Sequence, residues 1–181
     1  ATNATYTATE TATTYYRCIV TCTNGGASST SPALQVALQL YYHCYCASYS
    51  TTTEDTKIDS VHLGAIKTGS DPALCESYTD YTGGSSAMLT PGQPNILHIV
   101  IGSCTGEAYE AYVAVYIDYN HNSSFTDASE LVYSYGPIYT LNGIPDTTFF
   151  VPLTALSGHT GMRVVLDDGD QVPTSGGTYT S

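Results

Sequence analysis

Residues 113–133, VAVYIDYNHNSSFTDASELVY, constrain this chain more than any other stretch, because an alternating strand runs directly into an oxygen-rich loop and out into a second short strand. Val113, Val115 and Ile117 share one face of a period-2 segment, the pattern of a strand with one side in a core. Asp118, Asn120 and Asn122 then fall at every second position, so a chain that bends here turns three side-chain oxygens inward. Calcium loops of the D-x-[DN]-x-[DN] type use this spacing because the ion needs several hard oxygen donors at once. Ser124, Asp127 and Glu130 are candidates to complete the sphere, and Phe125 to anchor the loop. With amides at 120 and 122 and no turn glycine, Ca²⁺ affinity is expected in the weak extracellular range, on the order of 10⁻⁴ to 10⁻³ M. The same residues also suit a tight turn capped by its own Asp, Asn and Ser side chains.

The loop and its flanks resemble the GEVED domain of secreted bacterial proteins, whose centre reads approximately W-I-D-W/Y-N-x-D-G-x-F-x-x-x-E. Upstream, Tyr45-Cys46, Ile58 with Val61, Tyr78-Thr79-Asp80-Tyr81-Thr82 and Gly92 with Leu97 and Ile99 are similar to its successive pieces. Downstream, so are Val151-Pro152, Ala155, Gly158 and Met162-Arg163-Val164, and the resemblance spans roughly residues 45–175. Tyr116 stands where the family has Trp, Ser123 replaces the loop glycine, and Asn122 replaces an aspartate. The sequence VPTSGGTYTS stands where a Gly-Glu-Val-Glu-Asp-Tyr strand is expected, which implies a sheet edge left open. The resemblance implies a β-sandwich found in large surface proteins. Short Thr-, Tyr- and Val-rich segments separated by Gly, Pro, Ser and Asn predict the same all-β sandwich, with a jelly-roll, Ig-like or barrel arrangement open.

Four Lys and Arg against 16 Asp and Glu leave a formal net charge of −12, so nucleic acid and anionic lipid are repelled. No apolar run is long enough for membrane insertion as a helix. The six cysteines, Cys18, Cys22, Cys44, Cys46, Cys75 and Cys104, lack the paired C-x-x-C spacing of a zinc site and are expected in disulfides, hence in an oxidising exterior. Cys75 with Cys104 is the favoured pair; Cys18 and Cys22 are candidates to join Cys44 and Cys46. A chain opening on Ala1 without a leader reads as an exported, extracellular or cell-surface product.

Residues 1–14, ATNATYTATETATT, place Ala4, Tyr6, Ala8 and Ala12 on one face of an extended N-terminal strand and threonines on the other. So few apolar atoms cannot offset the entropy of ordering the segment, so a partner strand is required. Residues 15–46 predict a hairpin: YYRCIVTCT, a turn at Asn24-Gly25-Gly26, then Ala33–Cys46 with Leu34, Val36, Leu38 and Leu40 alternating. Residues 47–181 hold the GEVED-like sandwich.

Neither H-E-x-x-H nor G-x-S-x-G occurs, so no enzyme is expected. Asp167-Asp168-Gly169-Asp170 reads as a solvated turn. Asn3 and Asn122 fit the N-x-[ST] glycan acceptor pattern. The expected function is a structural subunit of an extracellular filament or surface assembly, copies of the chain linked by donor-strand pairing of residues 1–14. The alternative is a calcium-assisted adhesive or carbohydrate-binding module of the cell surface.

Overall fold

The computed structural model describes residues 5–38, 44–69 and 75–179, and every regular element among them is a strand. The chain divides into two units, Ala1–Leu40 and Tyr41–Ser181.

The first unit is a two-stranded ribbon. β1 (Thr14–Tyr16) pairs antiparallel with β4 (Leu34–Val36), and inside that pair β2 (Ile19–Thr21) meets β3 (Ser28–Thr30). The predicted turn forms: Gly26 takes a left-handed φ of 67° and its N–H reaches Cys22 O at 3.0 Å. Ser31 links the two pairs, its backbone N–H donating to Cys18 O and its Oγ accepting from Cys18 N, both at 2.9 Å. The ribbon has no core, since Ile19, Val20 and Leu34 are all more than half exposed.

Two strand predictions are corrected in this unit. The strand expected over Ala33–Cys46 is only Leu34–Val36 among the described residues, and residues 39–43 lie outside them. Residues 5–13 form no strand, and Tyr6, Ala8 and Ala12 are exposed. An extended segment acquires a ladder only beside a second strand, and these residues have none among the described residues. Ala4 and Asn3 lie outside the described residues.

The second unit is the sandwich. One sheet carries β10 (Leu131–Ile138), β9 (Ala111–Ile117) and β13 (Met162–Asp167), all antiparallel. The other runs β11 (Asn142–Gly143), β8 (Pro94–Ser103), β6 (Thr56–Leu63) and β7 (Ile66–Gly69), with β12 (Thr147–Phe150) also on β8. The alternation read from the sequence fills the space between them. Val113, Val115 and Ile117 of β9 are at most 2% exposed, and Leu97, Ile99 and Ile101 of β8 face the same cluster with Val61 and Leu63 of β6. Each such side chain contributes about 1.5–3 kcal/mol by leaving water, which is why these strands hold the register of both sheets.

β9 is buried on its other face too. Ala114 and Tyr116 pack with Phe125 and Val165, and Tyr45 and Tyr179 cover them. A small parallel pair, β5 (Ser48–Ser50) with β14 (Gly177–Tyr179), lies in this unit, so part of the C-terminal segment expected to lack its strand does form one. Cys75 and Cys104 are joined as predicted, whereas Cys18, Cys22, Cys44 and Cys46 are exposed thiols and not bridged. All four stand outside the strands with exposed side chains, so burial does not hold any two of their sulfurs at bridging distance.

Candidate functional site

β9 delivers the loop. Its last residue, Ile117, donates its N–H to Glu130 O at 2.9 Å, so the chain leaves the sheet at Asp118 and re-enters it at Leu131 beside Tyr116. Both carboxylates at the ends of this excursion are fully buried, Asp118 and Glu130 each at 0% exposure. The turn near Asp127 is closed by Glu130 N–H on Asp127 O at 2.9 Å, without a helix.

Asp118 is heavily partnered. Its Oδ1 accepts from Asn122 N at 3.2 Å, and its Oδ2 accepts from Ser123 N and from the Tyr45 hydroxyl, both at 3.0 Å. The Tyr45 oxygen in turn accepts from Gly161 N at 3.0 Å, and burial pushes its hydroxyl pKa up to about 12. Gly161 is required by that contact, because a Cβ there would lie 2.3 Å from the Tyr45 ring.

The remaining predicted ligands fold onto one another. Asn120 Nδ2 and Asn122 Nδ2 donate to the same Asp127 Oδ2 at 2.7 and 2.8 Å, and Ser124 N donates to Asn122 Oδ1 at 2.9 Å. Ser124 Oγ is spent on Thr126. Glu130 is the member left incomplete. Its Oε2 accepts from Asp127 N at 3.3 Å, while Oε1 is buried and makes no hydrogen bond of normal geometry, with the Tyr119 backbone N–H the other donor near the carboxylate. Desolvation foremost, then the charges of Asp118 and Asp127, raise its pKa above the ordinary glutamate value.

This arrangement bears directly on the calcium expectation. Among the described residues, no three His, Cys, Asp or Glu side chains form a ready metal-holding group. The donors are nevertheless of the class that Ca²⁺ takes, carboxylate and amide oxygens, and the loop concentrates negative charge on buried atoms. Two asparagine NH₂ groups and several backbone N–H groups currently supply the positive ends. The donor types are those that Ca²⁺ takes, carboxylates at Asp118, Asp127 and Glu130 and amide oxygens at Asn120 and Asn122, though they are not gathered into one ready sphere.

Two loop residues adopt left-handed backbone, His121 at φ 60° and Ser123 at φ 64°. This explains why glycine suits position 123: the αL conformation costs a side-chain-bearing residue about 1–2 kcal/mol. Asn122 is exposed, and its amide nitrogen donates to Asp127, so a glycan there would share that nitrogen with the loop's own bond. The expected solvated turn at 167–170 is only partly that, since Asp168 accepts from Thr56 N and Thr56 Oγ1 and its pKa is raised by burial.

Phe125 does anchor the loop, and by contacts that sequence reading did not anticipate. It stacks on Tyr45 with ring centroids 4.3 Å apart, and the Arg163 guanidinium lies 4.9 Å from its centre. Arg163 donates to Cys46 O and to Ser175 O, both at 2.5 Å. Ser124, Phe125 and Thr126 thereby line a groove of about 270 Å³ together with Arg163, Cys46 and Ser175. Residues 112–181 match the GEVED domain. The GEVED match takes in the whole loop, β10 to β13 and β14, whereas Tyr45 and Cys46 stand outside it and reach the matched region through space. Tyr116, where the GEVED resemblance has Trp, keeps its polar tip satisfied by donating to Pro173 O at 2.7 Å. No curated protein matches the chain.

Proposed function

We propose that the chain is an extracellular, calcium-assisted adhesive module of the cell surface, in which Ca²⁺ on the 118–130 loop fixes part of the lining of a binding groove for a glycan or another surface ligand. The observation that carries this reading is the pair of fully buried carboxylates, Asp118 and Glu130, with one Glu130 oxygen making no hydrogen bond of normal geometry. A buried carboxylate oxygen without a well-formed hydrogen bond is costly, and a divalent cation relieves it more completely than any group the loop itself provides. The loop then passes through Ser124, Phe125 and Thr126, which are groove residues, so whatever orders the loop orders the groove. The test is glycan-array and whole-cell binding by the full chain in about 5 mM Ca²⁺ and in EDTA, a range set by the expected weak affinity. Loss of binding in EDTA supports the reading. Equal binding in both, or no binding in either, overturns it.

A second reading, a self-assembling structural subunit, is favoured by the ribbon of the first unit. A two-stranded ribbon is marginal alone, and this one leaves Tyr15, Ile19, Val20 and Leu34 more than half exposed. Pairing of the ribbon and residues 1–14 with a second copy would cover them, and a head-to-tail arrangement that does not close would make a fibre. Sedimentation of the full chain across a hundredfold concentration range decides this: a monomer throughout removes the second reading.

A further inference from the structure

The outer face of the larger sheet carries a second cluster of ligating side chains, remote in chemistry from the acidic loop. Alternation puts His62 and His98 on it, because their neighbours Val61, Leu63, Leu97 and Ile99 all point into the core at 5% exposure or less. Register then places the two histidines directly opposite each other on β6 and β8. Their ring centroids are 5.5 Å apart, with the planes inclined at 44°. From the loop between β11 and β12, Asp146 Oδ1 lies 2.5 Å from His98 Nδ1.

We propose that His62 and His98 form a binding site for a borderline divalent transition metal such as Zn²⁺, Ni²⁺ or Cu²⁺, with Asp146 as the positioning carboxylate. The geometry is the first argument. A metal about 2.0–2.1 Å from one nitrogen of each imidazole sits about 3.2 Å from each ring centre, so tetrahedral to trigonal ligation sets the centroids about 5.2–5.5 Å apart. The observed separation falls at the upper end of that window. The second argument is the tautomer. A carboxylate on Nδ1 holds the proton there, leaves the Nε2 lone pair for a metal and raises its basicity, the usual arrangement behind a ligating histidine.

Gly143 of β11 stands beside His98, where a Cβ would come within 3.2 Å of Cε1 and 3.8 Å of Nε2. Lys67 stands opposite His62 on β7, so a cationic side chain shares the face with the imidazoles. Imidazole nitrogen, and not net negative charge, therefore carries the affinity, and this selects metals that take nitrogen ligands over Ca²⁺ or Mg²⁺. The remaining coordination positions are left for water or a group from another molecule.

The experiment uses the full chain with its exposed thiols alkylated and Ca²⁺ in excess, so that neither cysteines nor the acidic loop take up the probe. Titration with NiCl₂ or ZnCl₂, followed by calorimetry and by broadening of the histidine ring proton signals under Ni²⁺, should give one site per chain. His62→Ala and His98→Ala should each weaken binding at least about tenfold, and Asp146→Asn by about tenfold, while His121→Ala leaves it unchanged. Absence of saturable binding in the alkylated chain overturns the proposal. So does binding that survives both histidine substitutions in variants whose far-ultraviolet spectrum and melting temperature match the parent.

Discussion

Replacing Glu130 by Gln removes a buried charge while keeping the shape of the side chain, and the proposed calcium loop makes a two-sided forecast for it. In EDTA the parent holds a carboxylate whose pKa is raised by desolvation and by Asp118 and Asp127. A raised folded pKa means the folded state takes the proton more readily than the unfolded one. The associated stability is present below the unfolded glutamate pKa and is lost as pH rises through the folded value. The metal-free parent should therefore gain stability as pH falls through that window, and Glu130→Gln should flatten the gain and melt no lower than the parent at neutral pH. With calcium the order reverses, because the ion binds only the deprotonated carboxylate. If the dissociation constant lies between about 10⁻⁴ and 10⁻³ M, about 10 mM Ca²⁺ stabilises the parent by about 1.4–2.7 kcal/mol, or about 3–11 °C in melting temperature for a domain of this size. Glu130→Gln should lose most of that increment. Calorimetric or fluorescence melts at several pH values, with and without Ca²⁺, read both sides at once. A parent melting temperature indifferent to Ca²⁺ refutes the metal, and an undiminished increment in Glu130→Gln refutes Glu130 as a ligand.

Four further outcomes follow from contacts already described. Tyr45→Phe keeps the stack on Phe125 but removes the hydroxyl between Asp118 and Gly161, and should cost about 1–3 kcal/mol in denaturant unfolding. Gly161→Ala forces the Tyr45 ring away and should cost a similar or larger amount, about 1–3 kcal/mol, with circular dichroism in the aromatic region reporting the displaced tyrosine. Ser123→Gly relieves a left-handed φ of 64° and should stabilise the folded chain by about 1 kcal/mol, measured as a higher denaturant midpoint at unchanged slope. Cys75→Ser with Cys104→Ser opens a loop of 29 residues and should cost about 3–4 kcal/mol in the chain-entropy account.

The parts legible in the sequence are those encoded locally. Period-2 burial at Val113, Val115 and Ile117 is written in adjacent residues, and the structure holds all three in the core. The hairpin turn at Asn24-Gly25-Gly26 is legible for the same reason, since glycine supplies the left-handed residue the reversal needs. Phe125 was readable as an anchor, but its partners were not. Tyr45 lies 73 residues before the Asp118 it binds, and Gly161 lies 116 residues after the tyrosine that demands it. Arg163 is harder still to read, because it is held by two backbone carbonyls, and a carbonyl leaves no trace in residue identity. The extended strand expected at residues 1–14 has no ladder over residues 5–13 within the single chain for a related reason. Alternation states what a strand would bury, whereas only a partner edge makes the strand.

The parallel pairing of Ser48–Ser50 with Gly177–Tyr179 has a mechanical consequence. Gly177 lies opposite Ser48 and Tyr179 opposite Ser50, so the chain enters this pair at one end and leaves it at the other. Tension drawn along the chain through these two strands pulls them past each other lengthwise, and their hydrogen bonds are loaded together instead of one after another. Tyr179 O also accepts from Thr51 N at 2.8 Å, and the Arg163 fork ties Cys46 to Ser175 just upstream of both strands. A module anchored at one end and gripping a ligand at the other would transmit force through this clasp, and resistance to it is set by the rate of unfolding, not by equilibrium stability.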